Sequence, residues 1–258
     1  MTLSVCGSTL PSQALPWGDL ILQGVQVIQL SNVDDKQEVQ IGKQINQQLV
    51  SSQIRLYRNP EVNRYVNQIG QRLAAASERP NIPYTFQVVD DDSINAFATM
   101  GGFVYVNKGL LKAADNEAQL ASVLAHEIGH ITSRHSLAQM RQRAIAGGVA
   151  SVAGLDRNVA AQIGVDLAIQ RPTSRKDEFQ ADQKGLKTLG RAGYAQSAMI
   201  AFMEKLLKQG GSIPTFLSDH PATPDRIAAL KRAIDPQKAN VGDGLDSQTY
   251  KARMQPLM

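Results

Sequence analysis

Residues 125–130 read Ala-His-Glu-Ile-Gly-His, and this stretch decides how the rest of the chain is interpreted. On an α-helix, residues four apart lie one turn above each other, so the imidazoles of His126 and His130 can converge on one ion. Glu127 then lies beside the ion, in the place of a general base that takes a proton from water. The stretch predicts a zinc site in which His126 and His130 are ligands and Glu127 is the base.

The residues around this motif place it in a long, mostly buried helix. Asn116 followed by Glu117 is typical of a helix start. Apolar residues then recur at helical spacing: Leu120, Val123, Leu124, Ile128 and Ile131. Two histidines and a glutamate also meet by chance in helices, but a buried histidine pair without a metal needs other partners for its ring nitrogens. The metal site is therefore the favoured interpretation.

The composition limits the classes of protein to consider. A chain of 258 residues is long enough for one well-buried domain and short for two. The net charge is +4, but basic residues are scattered and rarely interleaved with aromatic ones, which argues against nucleic-acid binding. The single cysteine, Cys6, excludes a disulfide framework or a cysteine-based metal site within the chain.

No run of about 18 apolar residues occurs, so no membrane-spanning helix is predicted. The stretch from Ala144 to Leu155 is too short to span and rich in Gly and Ala, and a peripheral membrane contact there stays open.

Residues 1–20 resemble the end of a secretory signal peptide. No charge precedes Asp19, and Ser12 and Ala14 are small residues at the positions that signal peptidase recognises. A flexible tail explains the same residues equally well. The signal interpretation implies a cell-envelope, periplasmic or secreted protein. Lipid attachment at Cys6 is disfavoured because Val5 fits poorly before a lipidated cysteine.

The segments before the motif predict an α+β, mostly helical domain. One helix opens at the acidic residues after Ser31 and runs through Val50, and a second starts at Asn59-Pro60 and ends near Pro80. Alternation predicts a strand over residues 84–90, and two short strands around Gly101-Gly102 predict a β-hairpin. We expect a small antiparallel sheet over the motif helix.

The first hairpin strand is a candidate substrate-binding edge. Zinc peptidases receive the substrate as an added strand on the sheet above the active-site helix, and the residues in that position are Asn95, Ala96, Phe97 and Ala98. A plain structural hairpin explains them equally well. Residues 141–169, after the motif, fit either a helical hairpin or a mobile lid.

A catalytic zinc needs a third protein ligand, and a later helix supplies one. Ser174 can cap a helix in which Glu178 and Asp182, four apart, share a face. We assign Glu178 as the ligand and Asp182 as the carboxylate that holds a ligand imidazole through its other nitrogen. A solvated acidic face is the alternative, but the two histidines of the motif require a partner.

The two remaining histidines are weaker candidates. A third histidine ligand at His135 would match the metzincin pattern, but Ser133 stands where that pattern has Gly, and His135 falls about 140° round the helix from His130. We expect His135 to be an exposed or capping residue. His220 precedes a helix that begins at Pro224, and the residues alone make it a loop histidine.

Several motifs in order carry a resemblance to a known family. They are Asn95-Ala96-Phe97-Ala98 with Gly101-Gly102, Gly109-Leu110-Leu111, His126-Glu127-Ile128-Gly129-His130, Glu178-Phe179-Gln180-Ala181-Asp182, and His220-Pro221 with Arg226. Over residues 30–235 the chain resembles peptidase family 48 of the metallopeptidases, the gluzincin zinc proteases that include HtpX, the CAAX prenyl proteases and BepA-type proteases. It resembles the compact envelope-type members without transmembrane helices.

The resemblance implies a gluzincin fold with one zinc ion per chain, held by His126, His130 and Glu178 with Glu127 as base. It also brings His220 and Arg226 into the site. The expected function is that of a zinc metalloendopeptidase acting on unfolded or misfolded proteins in envelope protein quality control. The alternative is an autoinhibited or chaperone-like binding module with a non-catalytic zinc. We expect one domain over residues 21–235 and a polar tail over residues 236–258.

Overall fold

A computed structural model of the chain describes residues 27–28, 32–146, 155–170, 174–208, 214–221 and 224–257. The signal remnant or tail predicted for residues 1–20, with Cys6, lies outside these ranges. Most of the stretch from Ala144 to Leu155, where a membrane contact stayed open, also lies outside them.

Helices make up most of the described residues, and the short strands lie mainly in the first half of the chain. In order the elements are β1 (Val27–Ile28), α1 (Asp35–Ser52), α2 (Pro60–Ala76), β2 (Thr85–Val89), β3 (Ala96–Thr99), β4 (Phe103–Asn107), α3 (Lys108–Ala113), α4 (Glu117–Thr132), α5 (His135–Ala146), β5 (Leu155–Asp156), α6 (Arg157–Gln170), α7 (Arg175–Arg191), α8 (Ser197–Lys208), α9 (Thr215–Asp219), α10 (Pro224–Ala233) and α11 (Ser247–Met254). This order confirms the predicted α+β class dominated by helices.

Polar caps set the helix starts that the sequence indicated. The Asp34 side chain accepts a hydrogen bond from the Gln37 N–H while the Gln37 side chain accepts one from the Asp34 N–H, which forms a capping box for α1. Asn59 accepts hydrogen bonds from the first backbone N–H groups of α2. These side chains satisfy N–H groups that have no partner inside the helix.

The three-stranded sheet is mixed, whereas we expected an antiparallel one. The predicted hairpin is present, since β3 and β4 pair antiparallel around Gly101 and Gly102, both at positive φ. However, β2 pairs with β4 in parallel, which gives the strand order β2-β4-β3. All residues of β4 are buried, so the central place between two strands suits it. This order leaves β3 at the edge of the sheet.

The motif helix α4 lies in the middle of the fold, and every residue from Ala118 to Thr132 is buried. Its principal neighbour is α7, which approaches it closely. A Cβ on Gly185 of α7 would lie 3.0 Å from the Ala125 carbonyl oxygen and 3.0 Å from the His126 Cα. The absence of a side chain there lets the two backbones come together and brings α7 to the motif histidines.

The expected polar tail over residues 236–258 is wrong for the described residues up to 257. Tyr250 and Met254 of α11 and the following Leu257 are buried in the main core. The Tyr250 hydroxyl donates to the Leu111 carbonyl oxygen at 2.7 Å. These apolar residues are three or four positions apart, so they share one helix face while the polar residues between them remain outside.

Candidate metal centre

Both ends of α4 are held in place, and this fixes the position of the motif. At the first turn, the carboxylate of Glu117 accepts hydrogen bonds from the hydroxyls of Tyr65 at 2.5 Å and Tyr194 at 2.8 Å. At the last turn, Arg79 donates to the Ile131 carbonyl oxygen at 2.9 Å. The helix therefore presents His126, Glu127 and His130 from a rigid position.

Four buried side chains converge beside α4: His126, His130, Glu178 and His220. One ligand atom from each lies within 4.8 Å of the others. The Nε2 atoms of His126 and His130 are 3.1 Å apart. The two carboxylate oxygens of Glu178 face these nitrogens, with Oε2 3.4 Å from His126 Nε2 and Oε1 3.4 Å from His130 Nε2. The structure thus brings together the motif histidines and the glutamate that the sequence paired with them.

Asp182 supports His126 from the side away from this group. Its Oδ1 lies 3.0 Å from His126 Nδ1, so Nδ1–H donates and the lone pair of Nε2 faces the converging atoms. Arg226 binds both oxygens of Asp182 at 2.7 Å. Its Nη1 also lies 2.8 Å from Glu178 Oε2, an ion-pair contact that is not aligned as a hydrogen bond. One guanidinium therefore fixes both carboxylates that α7 contributes.

The electrostatics of this cluster favour a bound cation. The buried carboxylates of Glu127, Glu178 and Asp182 face one buried guanidinium, that of Arg226. With neutral imidazoles, an excess of two negative charges remains, and a divalent ion would neutralise it. A donor set of imidazole nitrogen and carboxylate oxygen suits such an ion.

The pKa values of the side chains in this cluster are set by burial and by the neighbouring charges. Burial lowers the pKa of His126, but the carboxylates of Asp182 and Glu178 outweigh it and raise that pKa to about 10. Burial raises the pKa of Glu178, but the hydrogen bonds from the surrounding imidazoles outweigh burial, and the net effect is a pKa well below the ordinary value. Burial lowers the pKa of His130 to about 4, and the charge of His126 adds to this effect although Glu178 opposes it, so the two motif histidines shift in opposite directions.

A cleft opens on one side of the group. It is lined by residues of the sheet edge, the site and the helices on either side, among them Phe97, Ala98, Thr99, Glu127, His130, His220 and Leu167. Glu127 Oε1 and His220 Nε2, 3.5 Å apart, are buried and have no hydrogen-bond partner among the described residues. Together with the Thr99 hydroxyl, which also has no hydrogen-bond partner among the described residues, these two atoms are polar groups available to a reacting molecule in the cleft.

His220 lies much closer to the motif than its loop position suggested. It follows the short helix α9 and is only 4% exposed. Its Nδ1 lies 3.2 Å from His126 Nε2 and 3.1 Å from Glu178 Oε1. The amide of Asn95 donates to Asp219 at 2.8 Å, which ties this segment to the sheet. The Asn95 side chain is thus engaged inside the protein, while Ala98 lines the cleft.

The prediction for His135 is wrong. We expected an exposed or capping residue, but His135 is 5% exposed and its Nδ1 lies 2.9 Å from His130 Nδ1. The predicted angle assumed that α4 continues through this residue. Instead α4 ends at Thr132, Arg134 adopts a φ of 55°, and α5 begins at His135 in a new direction. No Gly or Pro marks this change, so the sequence gives no sign of it.

The sequence model of peptidase family M48 matches residues 60–234, a span that contains all four converging side chains. The chain belongs to peptidase family M48. This confirms the resemblance drawn from the ordered motifs, and membership in this family of metallopeptidases implies a metal at the group of His126, His130, Glu178 and His220.

Individual relatives agree with the family. The chain is 33% identical over 234 residues to the beta-barrel assembly-enhancing protease of Escherichia coli K12. The matched region covers 84% of this chain and 48% of the relative. It is 29% identical over 173 residues to the mitochondrial metalloendopeptidase OMA1 of Schizosaccharomyces pombe, covering 65% of this chain and 51% of the relative. The chain spans about half the length of these curated relatives. None of the helices among the described residues is long and apolar enough to cross a membrane.

Proposed function

We propose that this M48 chain is a zinc metalloendopeptidase in which His126, His130 and Glu178 hold one zinc ion. One observation carries the proposal: ligand atoms of His126, His130 and Glu178 face the same point, and the carboxylate of Glu127 lies beside them. Its Oε1 has no hydrogen-bond partner among the described residues. Glu127 is thereby available for proton transfer in the cleft.

The spacing of the ligand atoms fits zinc. Tetrahedral zinc with Zn–N bonds of about 2.0–2.1 Å separates its ligand atoms by about 3.3 Å. The separations run from 3.1 Å between the two Nε2 atoms to 3.4 Å from each Nε2 to an oxygen of the Glu178 carboxylate, Oε2 for His126 and Oε1 for His130. Asp182 supports His126 from outside, as carboxylates do for histidine ligands of zinc.

The residues divide the chemistry among them. Zinc, when bound, supplies a Lewis acid that lowers the pKa of water toward neutrality and polarises the scissile carbonyl. Glu127 accepts the proton of the attacking water and later delivers it to the leaving amine. His220, whose Nε2 points toward Glu127, is placed to donate to the developing oxyanion. Arg226 acts by holding Asp182 and Glu178 in position.

The edge strand β3 is the proposed substrate-binding element. Asn95 and Asn107 share a ladder hydrogen bond, and the alternation of an antiparallel pair then turns the N–H and C=O of Ala96 and Ala98 away from β4. The Ala96 N–H donates to the Asn95 side chain at 2.9 Å, so the N–H proposed to meet a substrate is that of Ala98. Ala98 lines the cleft beside Glu127. An extended polypeptide can add to this edge as a further strand, which favours unfolded or misfolded proteins as substrates.

The place of action is proposed from the relatives. One is named a beta-barrel assembly-enhancing protease and another a mitochondrial metalloendopeptidase. The first of these names, with the signal-like residues 1–20, supports our proposal of a role in protein quality control in the cell envelope, in the periplasm.

A second candidate function is an autoinhibited or chaperone-like module. It is favoured by His220, whose Nδ1 lies at ligand distance from both His126 and Glu178 and would close the site as a fourth ligand. Catalysis then requires Nδ1 of His220 to withdraw from the metal position.

The experiment that separates the two is cleavage of casein by the purified chain. The protease proposal expects cleavage that a zinc chelator abolishes and added zinc restores. One tightly bound zinc per chain without any cleavage would favour the closed binding module instead.

A further inference from the structure

We propose that His135, with Gln180, is a positioning pair that fixes the tautomer and orientation of His130. The proposal rests on the proposed zinc site. It concerns how His130, the second histidine of the motif, is held in place. No carboxylate of the motif supports this ring.

The contacts form a chain that leads away from the metal centre. His130 turns Nε2 toward His126 and Glu178, and its Nδ1 lies 2.9 Å from Nδ1 of His135. On the far side of the His135 ring, Nε2 lies 3.0 Å from Oε1 of Gln180. His135 therefore has a partner at each ring nitrogen and faces the metal-remote side of His130.

The donors and acceptors along these contacts determine which ring nitrogen of each histidine carries the proton. If Nε2 of His130 binds a metal, the neutral ring carries its proton on Nδ1 and must donate it. Nδ1 of His135 is then the acceptor, which places the His135 proton on Nε2. That N–H donates to the amide oxygen of Gln180, so both hydrogen bonds form while the two imidazoles and the amide remain neutral.

The two motif histidines are thus supported by different chemistry. His126 is backed by the carboxylate of Asp182, which Arg226 neutralises. His130 is backed by a neutral imidazole and a neutral amide, which adds no further negative charge to a cluster that already has an excess of it. Asp177, the nearest carboxylate to His135, lies 3.7 Å from its Nε2, beyond hydrogen-bond distance.

The backbone holds this pair in place. The turn at Arg134 starts α5 at His135 and brings the ring back against the last turn of α4. Gln180 and Asp177 are three apart on α7, so they share a face that differs from the face of Glu178 and Asp182. Helix α7 therefore supplies the proposed zinc ligand Glu178, the support of His126 and the residue that holds His135.

The proposal is tested by measuring the zinc dissociation constants of matched variants in competition with a chelator. His135→Leu removes the acceptor at similar volume and should weaken zinc binding ~10–100-fold, the usual effect of losing such a support. His135→Asn places an oxygen near the former Nδ1 and should recover most of the affinity. Leu137→Ala, at a buried residue of the same helix, should lower the unfolding midpoint without changing zinc affinity.

A second measurement uses the zinc-loaded wild-type chain with isotope-labelled histidine. Nitrogen chemical shifts should show the proton on Nδ1 of His130 and on Nε2 of His135. Equal zinc affinity in wild type and His135→Leu, or a proton on Nδ1 of His135, would overturn the assignment while leaving the zinc peptidase intact. A wild type that binds no zinc would overturn both.

Discussion

A Cβ built on Gly129 would stand 2.5 Å from the carbonyl oxygen of Ala181, so the backbones of α4 and α7 touch at this point. Gly129 precedes His130 in the motif, and Ala181 precedes Asp182. The contact therefore sets the distance between the histidines of one helix and the carboxylates of the other.

Gly129→Ala should force these helices apart, because a backbone carbonyl cannot move aside like the end of a side chain. We expect weaker zinc binding and a free energy of unfolding lower by about 1–3 kcal/mol, the usual cost of overpacking. Chemical denaturation and chelator competition measure the two effects. Gly190→Ala on α7 is the control, since the nearest atoms to its Cβ would be those at the flexible end of Gln196. Equal zinc affinities in both variants would contradict this account.

Arg226→Leu should destabilise the metal-free protein strongly. Arg226 is 2% exposed and pairs with Asp182 and Glu178, so its loss leaves two buried carboxylates without their guanidinium. Breaking a buried pair in this way costs about 3–5 kcal/mol, as measured by denaturant unfolding. Arg175→Gln breaks an ion pair with Asp225 whose side chains are 70% and 72% exposed, and it should cost less than about 1 kcal/mol. Similar losses in the two variants would argue against a buried cluster.

Stability should fall at alkaline pH because of the tyrosines that hold the first turn of α4. Burial, and then the hydrogen bond to Glu117, raise the pKa of Tyr65 well above its ordinary value of 10.0. Burial and the charge of Glu117 raise the pKa of Tyr194 in the same direction. A folded pKa above the unfolded one means that the folded state binds more protons above pH 10, so its stabilising contribution is present below that pH and is lost as pH rises.

Denaturant midpoints measured between about pH 9 and 11 check this expectation. The midpoint should decline over this range, and the decline should be shallower in Tyr65→Phe, which has one ionisable group fewer. A midpoint that does not change with pH would show that these hydroxyls do not remain protonated in the folded state.

Ala98→Pro should impair substrate binding while leaving the metal site intact. The substitution removes an N–H that points away from β4, and proline is tolerated on edge strands where the N–H faces outward. We expect a higher KM for casein with unchanged zinc content. Ala98→Ser keeps the N–H and serves as the control. An unchanged KM in the proline variant would remove β3 from the substrate site.

The residues that local periodicity controls were predictable from the sequence. The spacing of His126 and His130, and of Glu178 and Asp182, places each pair on one helix face, and the caps Asn116 and Ser174 mark where those helices begin. The approach of Glu178 to the two histidines followed from their chemical need for a third ligand.

What the sequence could not provide depends on tertiary pairing. Alternation identifies β2 as a strand but does not say that it pairs with β4, so the parallel register was missed. The turn at Arg134 has no glycine or proline to mark it, so the contact between His135 and His130 was missed. Tyr250 and Met254 are too sparse among polar residues to predict a packed helix.

The most direct test of the central claim compares zinc content and casein cleavage in wild type and Glu127→Gln. Glu127 lies beside the ligand atoms without being one of the converging group, so the variant should retain one zinc ion per chain. Loss of the general base should lower turnover ~10²-fold or more. A zinc-loaded Glu127→Gln variant that cleaves casein as fast as wild type would contradict the account.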